Sequence, residues 1–146
     1  MISVFTSDVE KENKMEIKVS TENGRVPVTL MHIDGNLDAA SYKAFEVKAE
    51  ELIKGGARHI LIDLAHAPFV SSAGFRAIHQ IFKDLNAIHT GQSEDEIKQG
   101  ISEGSYKSPY LKLVNLSADT KAVFKTTGFD MYLECHDDVK VAIASF

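Results

Sequence analysis

The chain has 146 residues, with 16 Lys plus Arg against 21 Asp plus Glu, a net charge of −5 and a single cysteine. That length suits one domain that can bury a core without disulfide or metal staples, and 44% hydrophobic with 25% charged residues is an ordinary globular composition. The acidic balance argues against a nucleic-acid surface, which needs Lys and Arg for phosphates; lone Cys135 allows no intrachain disulfide and points to a reducing, cytoplasmic setting.

Residues 1–14, MISVFTSDVEKENK, read as an N-terminal extension without the basic and apolar regions of a secretory leader. The remainder, 15–146, reads as one domain, with no apolar run near the ~18–20 residues that span a bilayer. Met15 to Ser20 alternates apolar and polar residues, as a half-buried strand does. Glu22-Asn23-Gly24-Arg25 supplies a turn, and Val26 to Ile33 resumes the alternation, which predicts a β-hairpin. Gly35-Asn36-Leu37-Asp38 ends the second strand, and Asp38 is placed to cap a helix carrying Tyr42, Phe45, Ala49, Leu52 and Ile53 on one face. Gly55-Gly56 stops that helix. Ile60 to Leu64 is a short apolar run, as in a central strand covered on both faces.

A loop containing Pro68 leads to a second amphipathic helix with Phe75, Ile78, Phe82, Leu85 and Ile88 at spacings of three and four. Residues 89–109 are polar and Gly-interrupted, longer than the ~12–15 residues usual for a structureless loop. They read as an insertion, in which Ser93-Glu94-Asp95-Glu96 offers a capping box for a short helix. Strand Leu111 to Leu116, helix Ala118 to Thr127, strand Met131 to Cys135 and helix Val139 to Phe146 complete the chain, with Ser117 and Asp137 as predicted N-caps. The order β-β-α-β-α-β-α-β-α predicts the α/β class, a mixed sheet with flanking helices. Ligands of such sheets meet the loops at strand C-terminal ends, which singles out Gly35–Asp38 and Pro68–Phe75.

Little in the sequence reads as catalytic machinery. The six histidines show no metal-binding pair at i, i+4, and one Cys anchors no zinc site. No Gly-rich phosphate loop is present, and Asp34, Asp38 and Asp63 have no evident acid–base partner; Asp38 reads as a cap and Asp63 as a turn former. Phe69-Val70-Ser71-Ser72-Ala73-Gly74-Phe75 lies between a strand and a helix, so its serines sit at a helix N-terminus. Three roles are open to them: helix cap, phosphorylation site or nucleophile. A hydrolase elbow needs Gly two residues before the Ser, where Val70 and Phe69 stand instead. No enzyme activity, metal or cofactor is therefore expected.

The run Ile60 to Phe75 resembles the signature of the STAS domain family: an apolar strand, a short loop, then Phe, an apolar residue, Asp-Ser-Ser-Gly-Leu and a helix. Gly35-Asn36-Leu37-Asp38 is similar to the family's Gly-Glu-Leu-Asp. Without gaps the family Asp falls on Ser71, the first Ser on Ser72 and the second on Ala73. Single-domain members are bacterial anti-sigma-factor antagonists, so the resemblance implies a phosphorylation-regulated protein-binding module in a partner-switching pathway. Its implied partners are a serine-kinase anti-sigma factor of the histidine-kinase-like ATPase fold and a PP2C-type phosphatase, with no direct nucleic acid or membrane contact. The implied phosphorylation site is Ser72, with Ser71 as the alternative, and Gly35, Asn36, Asp38, Ser71, Ala73, Gly74, Phe75 and Arg76 are the expected partner-binding residues. Gly74 would admit the partner backbone, and Phe75 or Arg76 would supply contact area. The chain could also pair with a second copy. The runner-up reading is a non-phosphorylated STAS scaffold or sensor subunit of a larger signalling complex.

Overall fold

The two alternating segments form an antiparallel hairpin of β1 (Glu16–Asn23) and β2 (Pro27–Asp34). In this computed structural model, which describes residues 15–90, 94–102 and 107–146, the chain continues through α1 (Tyr42–Lys54), β3 (Ile60–His66), α2 (Ser72–Thr90) and α3 (Glu94–Ser102). It ends with β4 (Leu111–Val114), α4 (Ala118–Thr126), a single 3₁₀ turn (Phe129–Met131), β5 (Glu134–His136) and α5 (Val139–Ser145). The strands lie side by side in chain order, and β2 to β5 are mutually parallel while β1 runs against them. This is the mixed α/β sheet expected from the element order. The predicted extension 1–14 and the cap Ser93 lie outside the described residues, but the helix predicted within the insertion is present as α3.

Strand alternation divides the core in two. Met31, Ile33, Ile60, Ile62, Leu111 and Leu113 point to one face, beneath Phe45 and Ala49 of α1 and Ile78, Phe82 and Leu85 of α2. Each of these Ile, Leu, Met and Phe side chains, fully buried, contributes about 1.5–3 kcal/mol relative to exposure. On the other face Val28, Leu30, Leu61 and Val114 are covered by Ala142 of the short α5. Lys112, 3% exposed, holds that helix down. Its Nζ donates to the Ser145 carbonyl and hydroxyl at 2.9 Å, lies 3.2 Å from a Glu134 carboxylate oxygen and sits over the Phe146 ring.

Several local expectations are corrected. Asp38 does not cap α1 directly: Ser41 occupies the N-cap position, and Asp38 opens the preceding turn, its Oδ1 accepting from Ala40 N–H at 3.0 Å. Asp138, not Asp137, caps α5 by accepting from Val141 N–H at 3.0 Å, whereas Ser117 caps α4 as predicted. Residues Met131 to Leu133 are not strand, because Tyr132 and Leu133 turn into the core beside Phe82 and Phe129; only Glu134 to His136 joins the sheet. Ile88 lies off the buried face of α2, 47% exposed.

At the N-terminal ends of β3 and β4, the His59 ring packs against His89, Tyr110 and Phe146. His89 stacks on Tyr110 with ring centres 3.6 Å apart and donates from Nε2 to the Arg58 carbonyl at 2.7 Å. Burial, and then the positive charge of His89 and Lys112, holds the His59 pKa below its ordinary value. The unfolded chain thus takes up this proton at higher pH than the folded one, so stability is complete above the usual histidine range and falls as pH drops through it. Urea unfolding should show a lower midpoint at about pH 5.5 than at about pH 7.5, and His59→Gln should narrow that difference.

Candidate functional site

At the C-terminal end of the sheet, the two loops singled out in the sequence are joined backbone to backbone. Leu37 N–H donates to the Phe69 carbonyl at 3.0 Å, and Ser71 N–H donates to the Leu37 carbonyl at 2.9 Å, forming a parallel bridge between Leu37 and Val70. Gly35, with φ 116°, lets β2 turn into the first loop, and its N–H donates to the His66 carbonyl at 2.9 Å. Ser117 Oγ donates to the Pro68 carbonyl at 3.1 Å, so the loop before α4 is fastened to the same platform.

Gly74 is fixed by this joint. A Cβ there would lie 2.5 Å from the Leu37 carbonyl oxygen and 2.9 Å from Val70 Cγ1. Its missing side chain therefore serves an internal contact, the approach of α2 to the Leu37 loop, rather than the approach of a partner. Ala73 and Phe75 are also buried, at 8% and 3% exposure, and the Phe75 ring packs on Phe129 with centres 5.1 Å apart. Phe75 thus supplies no outward contact area. The aromatic that does is Phe69, 53% exposed on the loop rim. A Phe directly after Pro68, ahead of the helix and outside its period, was the signal available for it in the sequence.

The adjacent serines have different environments. Ser71 is half-buried and takes the N-cap position of α2: its carbonyl accepts from Phe75 N–H at 2.9 Å and its Oγ from Gly74 N–H at 3.4 Å. Ser72 is the first residue of the helix and exposed, and its hydroxyl has no hydrogen-bond partner among the described residues. The helix behind it is 19 residues long with no acidic residue in its first turn, so its N-terminal field favours an added negative charge. Arg76, exposed, stands four residues on, on the same side of the helix. Exposed Asn36 and half-buried Gly35 and Asp38 border the site from the other loop. The expected residues that face outward are thus Asn36, Ser72 and Arg76, joined by Phe69.

Asp63, read from sequence as a turn former, is instead buried at 7% exposure. Its carboxylate accepts from Ala65 N–H at 3.0 Å and Asn115 Nδ2 at 3.1 Å and lies 2.8 Å from His32 Nδ1. This network ties β2, β3 and the end of β4 together beneath the loops. Among the described residues the Ser72 hydroxyl makes no hydrogen bond to a base, the contact that nucleophilic catalysis uses. Burial pushes the Cys135 thiol above its ordinary pKa, so it stays protonated and weakly nucleophilic at neutral pH. Among the described residues no cluster of three or more His, Cys, Asp or Glu is placed to hold a metal, and no helix is long and apolar enough to cross a membrane.

The STAS domain model matches residues 18–91, about half of the chain, including both loops and Ser72. The chain belongs to the STAS domain family. The STAS fold extends over most of its length, because solved structures align well beyond the matched segment. An anti-sigma factor antagonist from Mycobacterium paratuberculosis aligns with a TM-score of 0.67 and 15% identity over 90% of this chain and 92% of its own. A protein from Thermotoga maritima assigned as an anti-sigma factor antagonist gives 0.66 and 16%, over 87% and 91%. The phosphorylated form of the Bacillus cell fate determinant SpoIIAA gives 0.59 and 15%, over 88% and 96%. At these identities the likeness is one of fold. No curated protein sequence matches the chain significantly.

The joint makes this part of the STAS domain sensitive to single atoms. Gly74→Ala should cost about 1–3 kcal/mol in urea unfolding, because the loop or the helix must shift to admit the methyl group, and should speed hydrogen exchange at the Leu37 and Ser71 amides. Ser71→Ala should cost about 1 kcal/mol through the lost cap. The same change at Ser72 should stay within about 0.5 kcal/mol, as for other exposed positions without partners.

Proposed function

We propose that this STAS domain is a phosphorylation-regulated binding module: an anti-sigma-factor antagonist that holds a serine-kinase anti-sigma factor while Ser72 is unmodified and lets go once it carries phosphate. The observation that carries the reading is the exposed Ser72 hydroxyl at the start of α2, without a hydrogen-bond partner among the described residues, beside a Ser71 already engaged as the cap. The family membership supports it, as does the existence of a structural relative in both unphosphorylated and phosphorylated forms.

Physically, the switch needs no refolding. Phosphate adds about −1.5 to −2 charges to Ser72. Within this chain the helix N-terminus and Arg76 offset that charge. A partner packed on Phe69, Asn36 and Ser72 would have to desolvate it, which is unfavourable without a matching cation. On the STAS resemblance, the partner in this reading is a kinase of the histidine-kinase-like ATPase fold, and a PP2C-type phosphatase resets the surface. Capture experiments with wild-type, Ser72→Ala and Ser72→Asp protein should recover the kinase with the first two and about tenfold less with the third. Incubation with that kinase and ATP should add one phosphate to wild type and Ser71→Ala but none to Ser72→Ala. Phosphate on Ser72→Ala but not on Ser71→Ala would move the site to Ser71. Equal capture by all three proteins, with no phosphate added, would instead favour the scaffold reading.

A further inference from the structure

The sheet ends on one side at β1, and no strand pairs with its outer edge among the described residues. Alternate residues of this eight-residue strand therefore turn their backbone donors and acceptors away from β2, and Val19 on it is 38% exposed. Such an edge is a ready template for another strand. Beside it runs a groove of about 550 Å³, lined on the strand side by Val19 and Thr21 and on the helix side by Leu52, Gly55 and Arg58.

The charges on β1 select its partner. Lys18 and Glu22 lie opposite His32 and Val28 of β2, on the α5 side of the sheet, whereas Val19 and Thr21 lie opposite Met31 and Thr29 on the groove side. We propose that β1 pairs antiparallel with β1 of a second copy, about a two-fold axis through Ser20, joining two sheets into one. This register sets Lys18 of each copy against Glu22 of the other, and Val19 against Thr21. Neighbouring registers that keep each face of the sheet continuous do worse. An axis through Val19 opposes Glu16 to Glu22, and one through Lys18 opposes the two lysines. The Ser20 register overlaps residues 17–23 and makes two opposite-charge pairs without a like-charge pair. The interface is isologous and closes at two copies.

The test uses the full chain and no kinase, so its outcome is independent of the function proposed for Ser72. Sedimentation equilibrium should show a concentration-dependent dimer. Lys18→Glu and Glu22→Lys, each alone, turn both cross-strand pairs repulsive and should weaken self-association at least about tenfold. Mixing the two variants makes both pairs attractive again in the heterodimer, and the double variant does so in its own homodimer, so both should regain wild-type association. Circular dichroism and urea unfolding check that each variant is folded. A wild-type chain that stays monomeric at the highest concentration reached overturns the proposal. A dimer insensitive to either reversal, or single variants that mixing does not restore, overturns it equally.

Discussion

The loop end of this domain, where the candidate site lies, depends on two hydrogen bonds. Leu37 donates to the Phe69 carbonyl and accepts from Ser71 N–H, so one backbone position in the first crossover holds the entry of α2. Net worth per bond is about 0.5–1.5 kcal/mol, modest beside the core, but their effect is positional. They bring α2 so close to the first loop that Gly74 alone, of the residues in its first turn, faces a carbonyl oxygen with no room for a methyl group. Side chains on the two loops, far apart in sequence, consequently share one surface.

The rest of the molecule supports that surface asymmetrically. The large core under α1 and α2 anchors the strands that carry the loops, and the Asp63 network locks three strand ends directly beneath them. A buried carboxylate with three polar contacts is costly to disturb, so the strand ends form a firm base. The opposite face rests on a helix of seven residues pinned by Lys112. That face has the smaller apolar cluster, and firmness is concentrated on the side from which α2 begins.

Periodicity made much of this legible. The hairpin, α1, β3 and α2 follow patterns with period 2 or 3.6 that large buried cores enforce, and the STAS resemblance rests on the same stretch. The signal weakened where tertiary contacts outweigh local pattern. Met131 to Cys135 reads as a strand, yet Leu133 is buried in the core and Tyr132 packs its ring on distant Phe82 and on neighbouring Phe129, and only the last residues pair. Within the site, Ser72, Asn36 and Arg76 were identifiable as candidates. Phe75 shares the helical period of Ile78, Phe82 and Leu85, so its inward direction was legible there; the outward direction of Phe69 was not, because a turn of irregular backbone has no period from which to read it. Asp63 was misread for a related reason: its partners His32 and Asn115 lie 31 and 52 residues away.

The unequal lot of the neighbouring serines bears on any enzyme that meets this surface. Ser71 Oγ faces the first amides of its own helix and is half covered; Ser72 projects from the helix into water. On the reading proposed for Ser72, an enzyme approaching the folded domain meets that hydroxyl before the one beside it, although the sequence offers two in a row. The backbone of the substrate, rather than the visitor's own pocket, then carries much of the choice between them.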